Sequence, residues 1–494
     1  MRPSNHLSAR LPHTVGSFLL AALCAPAVAA EPSVTDWAAT ARRDIEFAGA
    51  TMRTTHAGVA GNDPSVVGPL ETGVRLGLAE TAGVRDEQDY RRLMMRFIAG
   101  FGDPHTGIDV RQTVRGWTGM LVDQVEGRYR VVWTEPGWPS ALPPLGAIVD
   151  SCDGVWFGTW LKTQVSPFVI NSLEYPSTFS ALAQASMLDR GMGWTPKACV
   201  FTLADGSRKT YALSMRSVAE PADKARLQAA QRKVRAAAAP VGMKPLGLGK
   251  TWVGMPSFNG KEDGPAYEAL YPKLAALPKS GWVVFDLRGN GGGNSAWGKR
   301  ALAALFGDAY AERLARSGGL EKYMVATPES AQVLKRYIDA PEFASSREDN
   351  IADLAKVEAA IRAGEKLALV SGEPGAADRL VPALARPHDP RIAALIDRNC
   401  FSSCMNFVQQ IRTIADSVVL GEATIGYSPY GETSVVALPS GQGSLYIPTA
   451  LFKTTQATRA PFVPDIPYTG KMADDAALAR WVGATLDRIG AKPR

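Results

Sequence analysis

The segment Gly281–Arg300, GWVVFDLRGNGGGNSAWGKR, restricts this chain more than any other. An apolar run from Trp282 to Phe285 meets Asp286 and Arg288, crosses a loop holding Gly289, Gly291, Gly292 and Gly293, and enters helical sequence near Asn294. A continuous apolar strand fits a sheet covered on both faces, and a strand, glycine loop and helix in that order fit an α/β layer. Glycines let the backbone take positive φ and approach a substrate closely. Their N–H groups, with a helix start behind them, form an anion or oxyanion cradle. Nucleotide fingerprints fail on spacing. Asn294 stands where G-x-G-x-x-G needs its last glycine, and Lys244 stands where a phosphate loop ending in Gly249-Lys250-Thr251 needs its first.

A second junction of the same kind is Ile392–Gln410, IAALIDRNCFSSCMNFVQQ, with Ser402 and Ser403 between strand and helix. Serine at a helix N-terminus is ordinarily a cap; at the end of a sheet strand it is also where a nucleophile can sit. Cys400 and Cys404 flank it, and an i,i+4 bond there lies near the upper end of allowed disulfide geometry.

At 494 residues the chain is too long for one core, since domains run to about 100–200 residues. With 46% hydrophobic residues it can build real cores, which argues against disorder. Residues 1–30 read as a secretory signal: Arg2 and Arg10, an apolar stretch Val15–Ala25, then small residues at Ala27, Ala29 and Ala30. Leu23 is too large for a lipoprotein site at Cys24. No later stretch reaches the apolar length of a membrane span. The formal charge is +6, and loss of Arg2 and Arg10 lowers it further, too little to indicate nucleic acid as a partner. An exported chain with four remaining cysteines is expected to form disulfides in a periplasmic or secreted setting. Nearest pairing joins Cys152 to Cys199 and Cys400 to Cys404, although three connectivities are open. No cysteine pair has a histidine completing a zinc set, and no metal or organic cofactor is expected.

Helical spacing marks 33–60 and about 71–99 in an N-terminal helical region, 31–112. From Trp117 short alternating strands indicate a β-rich module, 113–217, closed by a hairpin through Asp205-Gly206. A basic helix at 219–238 connects it to alternating strands and helices over 218–490. These predict an α/β domain with a mixed sheet covered by helices, carrying a helical insert at about 308–385.

DLRGNGGG, then C-F-S-S-C-M-N-F, then Gly421-Glu422-Ala423-Thr424-Ile425-Gly426, then Pro464-Asp465 resemble the ordered motifs of the C-terminal-processing (tail-specific) serine peptidases. The likeness covers roughly 245–470 and extends to 113–217 as a PDZ-like module. It implies an exported serine-type peptidase with Ser402 as nucleophile. The oxyanion hole would be the Ser403 N–H and a glycine of the Gly291–Gly292 loop. Two positions depart from the pattern: Met405 replaces an acidic residue, and Tyr427 replaces the lysine of Ser-Lys members. A phenol is a poor base at neutral pH. The chain is therefore closer to the histidine-using, tricorn-like branch, with His105 in Asp103-Pro104-His105-Thr106 as general base. Glu432, in Tyr430-Gly431-Glu432, is the candidate for orienting that base. His56 is expected to end the first helix and His388 to lie in a turn.

Arg115–Met120 is similar to the loop that holds a peptide C-terminal carboxylate, which assigns that role to Gly119 and Met120. Protein or peptide substrates are thus the expected partners. Two alternatives use the same sequence: a peptidase-like scaffold that has lost catalysis, and an esterase or amidase acting at the same serine.

Overall fold

A computed structural model describes residues 35–110, 114–170, 177–236, 239–317, 320–378, 383–454 and 461–490. The leader expected at 1–30 lies outside them. Every element belongs to the unit Trp37–Arg494.

A six-stranded sheet runs in the order Gly242–Gly247, Lys250–Gly254, Trp282–Asp286, Arg391–Ile396, Val418–Gly421, Ile466–Pro467. Only its first pair is antiparallel. Helices Gly260–Ala275, Ala296–Phe306 and Ser403–Arg412 pack one face through Phe285, Ile392 and Phe407, and helix Asp475–Gly490 covers the other through Val284, Leu395 and Leu478. Burial on both faces is why these strands are apolar without alternation. Strands Trp282–Asp286 and Arg391–Ile396 are parallel neighbours, with Asp286 opposite Leu395. Both loops singled out in the sequence therefore leave the same edge of the sheet side by side, at the carboxyl ends where open α/β sheets hold their ligands.

An antiparallel sheet completes the site. Strand Ser444–Lys453 pairs along one side with Tyr430–Ala437; Gly107–Asp109 and Glu321–Val325 share its other side, and Leu367–Ser371 pairs with the latter. The N-terminal helices Trp37–Thr55, Pro64–Glu80 and Glu87–Ala99 bury Ile45, Leu70 and Phe97 with Leu445 and Ile447 of this sheet. Two expectations change here. The helix expected over 71–99 is broken into two: the first ends at Glu80, Val84 is extended, and the Asp86 side chain caps the second by accepting from Asp89 N–H. The 308–385 insert is not purely helical: Glu321–Val325 and Leu367–Ser371 are strands, carrying helices Pro328–Asp339 and Arg347–Ala363 on their backs. Their Met324, Ala368 and Val370 pack under Leu334 and Val357, so local helical signal on either side hid two short buried strands.

The β-rich module is a sheet ordered Met120–Val125, Arg128–Thr134, Ile148–Cys152, Ala198–Thr202, Arg208–Ala212, with helix Thr178–Ser186 against its first strand. Cys152 and Cys199 are cross-strand partners and form a disulfide. Helix Pro221–Val234 rests on the module by Leu227 and Ala230, leaving its charged positions in solvent.

Candidate active site

Strand Arg391–Ile396 ends in Asp397, which accepts N–H bonds from Gly289 (3.1 Å) and Asn399 (3.0 Å) and so holds the two loops together. The chain then turns through the Cys400–Cys404 disulfide, whose Cα atoms are 5.5 Å apart, with Ser402 inside the bracket. Ser402 has φ 55° and ψ −124°, and its side chain makes no capping hydrogen bond. A non-glycine residue there costs about 1–3 kcal/mol and is tolerated only where its surroundings impose it. Instead of capping the helix, Ser402 Oγ lies 3.1 Å from His105 Nε2.

The 297 residues between them in sequence are closed by sheet pairing. His105 immediately precedes strand Gly107–Asp109, which is registered on Tyr446, Leu445 and Ser444. Its loop is pinned from below. Asp103 accepts the His105 N–H (3.3 Å) and the Thr106 hydroxyl (2.6 Å), and Thr106 Oγ1 is 2.9 Å from His56 Nε2. His56 Nδ1 accepts from Gly58 N–H, so His56 caps the short helix Ala57–Ala60 after the first helix ends. The His105 ring lies against Phe401, with centroids 4.5 Å apart. Burial lowers the His105 pKa from the ordinary histidine value, while the negative charges of Asp103 and Glu432 oppose that shift.

The glycine loop closes the other side. Gly292 has φ 100°, and a Cβ on it would stand 2.7 Å from Ser402 Cβ, so only glycine fits. Its N–H donates to Asn290 Oδ1 at 2.9 Å, and its carbonyl accepts from Phe258 N–H. The sequence reading put Gly291 or Gly292 at the oxyanion position. Gly292's N–H is already taken, and it is Gly293 that lines the cleft beside Ser402 and Ser403. Gly293 is bridged to Phe258 through its neighbours' groups, so its own N–H and carbonyl face the opposite side, where the carbonyl accepts from Ser403 Oγ (2.6 Å). Ser403 N–H opens the helix.

Glu432, at φ 51°, faces His105, but its carboxylate is paired with Lys322 Nζ at 2.9 Å and bonded by the Tyr337 hydroxyl. His105 Nδ1 has no hydrogen-bond partner among the described residues. Tyr427 and Met405 also line the cleft. Burial raises the Tyr427 phenol above its ordinary value, which removes it further from any role as base. His388 stands apart from these groups in the network, bonded to the Asp389 carbonyl and packed on Phe306. Among the described residues no group of three or more His, Cys, Asp or Glu is arranged to hold a metal ion.

The loop expected to take a peptide carboxylate is covered. A Cβ on Gly119 would meet the Trp138 ring at 2.2 Å, and the Gly119 carbonyl accepts from Glu135 N–H. Met120 is fully buried and paired with Thr134. The free edge of strand Met120–Val125, where a peptide would add, faces helix Thr178–Ser186. There Asp123 accepts from Ser180 Oγ (2.6 Å), Gln184 Nε2 (3.1 Å) and Arg398 (2.7 Å). Gly119 and Met120 are thus packed among the module's own side chains. Arg398, four residues before Ser402, also pairs with Glu422 and ties the module to the Ser402 loop. Arg398, Lys322 and Tyr337 have no place in the sequence expectations, and Gly293 enters them only as a member of the glycine loop; the charged Asp397-Arg398 at a buried strand's end is the one signal the sequence offers for the rest.

No family model matches the sequence, and no curated protein matches it. Among solved structures, mature CPAF complexed with lactacystin superposes with a TM-score of 0.65 at 13% identity, over 92% of this chain and all (100%) of that one. A crystal structure of mature CPAF gives a TM-score of 0.64 at 12% identity, covering 92% of this chain and 99% of that chain. The chain has the fold of CPAF: an α/β domain with a small β-rich module and N-terminal helices. No helix among the described residues is long and apolar enough to cross a membrane.

Proposed function

We propose that this chain is an exported serine peptidase in which Ser402 attacks a peptide carbonyl and His105 carries the proton. The observation that carries the reading is the 3.1 Å Ser402 Oγ to His105 Nε2 contact at a serine that does not cap its helix. A neutral imidazole with its proton on Nδ1 presents Nε2 as acceptor. As the Oγ–carbonyl bond forms, the hydroxyl proton moves to Nε2, and the resulting imidazolium faces the Glu432 charge. The oxyanion is received by the N–H groups of Ser403 and Gly293. His105 then protonates the leaving amine, and water, activated by the same ring, hydrolyses the acyl-enzyme. The disulfides Cys152–Cys199 and Cys400–Cys404 support an oxidising compartment. The substrate is a protein or peptide segment lying across the open cleft, with no anchoring of its C-terminus at Gly119 and Met120.

A fluorophosphonate probe tests this directly. Wild type is expected to label at Ser402, and Ser402→Ala to lose both labelling and peptide turnover, by at least about 10³-fold, while staying folded. A folded wild type that does not label leaves the fold as a scaffold. Labelling with turnover of esters but no peptide would assign it to an esterase or amidase. CPAF has been solved with lactacystin, which makes that compound a second probe for the same hydroxyl.

A further inference from the structure

We propose that Lys322 is a positioning residue for the Ser402–His105 pair: its ammonium, held between Glu432 and Asp353, keeps Glu432 ionised and aimed at His105. The inference rests on the reading of Ser402 and His105 given above. It also gives the 308–385 insert a task, since Lys322, Tyr337 and Asp353 all come from it.

Lys322 Nζ lies 2.9 Å from Glu432 Oε1 and 3.3 Å from Asp353 Oδ2, and both the lysine and the glutamate side chains are largely withdrawn from water, at 13% and 21% exposure. The groups facing Glu432 come from four elements. They are Lys322 on strand Glu321–Val325, Tyr337 on helix Pro328–Asp339, Asp353 on helix Arg347–Ala363, and His105 on the loop before Gly107–Asp109. Asp103 faces His105 from its own loop, Lys356 faces Asp353, and Arg336 lies beside Tyr337 with its guanidinium on the Thr433 carbonyl. Glu432 and Asp353 share the Lys322 ammonium while Lys356 also acts on Asp353, so among the described residues Lys322 is the ion-pair partner of Glu432. Burial would raise the Glu432 carboxyl; Lys322 reverses this and holds it below the ordinary glutamate value. Burial would likewise lower Lys322, and the two carboxylates raise it instead. An ion pair inside a withdrawn site fixes geometry as well as charge, because removing one partner strands the other.

Replacing Lys322 by methionine leaves Glu432 without its ion-pair partner and Asp353 with Lys356 alone. Either both stay charged, which raises the His105 pKa, or they share a proton that must leave before Glu432 presents its charge to His105. Each route moves the acid limb of activity to higher pH. The test is the rate of fluorophosphonate labelling of Ser402 across pH in the full chain. Lys322→Met is expected to label about 10²-fold more slowly at pH 7, with its acid limb raised by about one pH unit or more. Lys322→Arg is expected to restore most of the rate. In a Glu432→Gln background, Lys322→Met should add less than about twofold, because the two act as a unit. Tyr337→Phe keeps the ring stacked on Phe343, at 4.3 Å, and removes only the hydroxyl. It should slow labelling by about threefold to tenfold with the limb moved the same way, and it decides the matter if Lys322→Met does not fold. An unmoved acid limb in either variant, or equal slowing with and without Glu432, overturns the role of Lys322. A wild type that never labels fails the nucleophile reading instead, so the two failures are distinguishable.

Discussion

Two loops resemble cradles of backbone amides in the sequence, Gly289–Gly293 opposite Ser402 and Arg115–Met120 in the β-rich module, and they end in opposite conditions. The first keeps Gly293 and Ser403 on an open cleft, with Gly292 pressed to within a Cβ's width of Ser402. The second is roofed by Trp138, and the neighbouring strand edge is bonded through Asp123 to Ser180 and Gln184. Glycine gives a backbone the freedom to make a cradle; what lies above it decides whether a ligand enters. The disulfides follow the same division. Cys152–Cys199 closes a separation of 47 residues inside the module's core, whereas Cys400–Cys404 spans a separation of 4 around Ser402.

His105→Ala is expected to slow Ser402 labelling by about 10³-fold or more. In the wild-type chain the base must be neutral. Burial lowers the His105 pKa, so labelling should hold from neutral pH downward past about 6.5 before it falls. An acid limb above that value would mean that another group, or a charged cluster, controls the serine.

Loop-closure entropy assigns about 4 kcal/mol to a cross-link of the Cys152–Cys199 length and about 2 kcal/mol to that of Cys400–Cys404. Chemical denaturation of Cys152→Ala/Cys199→Ala should show the larger loss of stability, with the labelling rate of the folded fraction unchanged. Cys400→Ala/Cys404→Ala should lose less stability but label about tenfold more slowly, because the bracket helps hold Ser402 at positive φ. Equal labelling in both pairs would reduce the second bridge to a staple. The smallest effect is expected at Trp138. Its replacement by alanine should cost about 2 kcal/mol and leave labelling alone. Turnover of peptides with free and amidated C-termini should be alike in wild type; a strong preference for free ends would show that the covered loop opens.

Much of the site was legible because strand-to-helix junctions announce themselves. Ser402, the glycine run and the neighbouring cysteines are local features. His105 was legible only through the company of Asp103 and Thr106, and Glu432 through Tyr430-Gly431. Lys322 carried no signal, because a lysine in a short strand reads as a solvated charge until the opposing carboxylates are seen. The insert's strands were illegible for a related reason: five residues such as EKYMV or LALVS are stabilised by their neighbours in the sheet, not by their own propensity.

Sequence alone determined that two apolar strands would each hand over to a helix, one through a glycine loop and one through Ser402, since burial periodicity and backbone freedom are properties of adjacent residues. The tertiary structure brought His105 to that serine, set Gly293 rather than Gly292 on the cleft, and laid Trp138 over Gly119. Those outcomes depend on contacts across hundreds of residues, fixed by sheet register and by the packing of side chains such as Trp138 and Lys322.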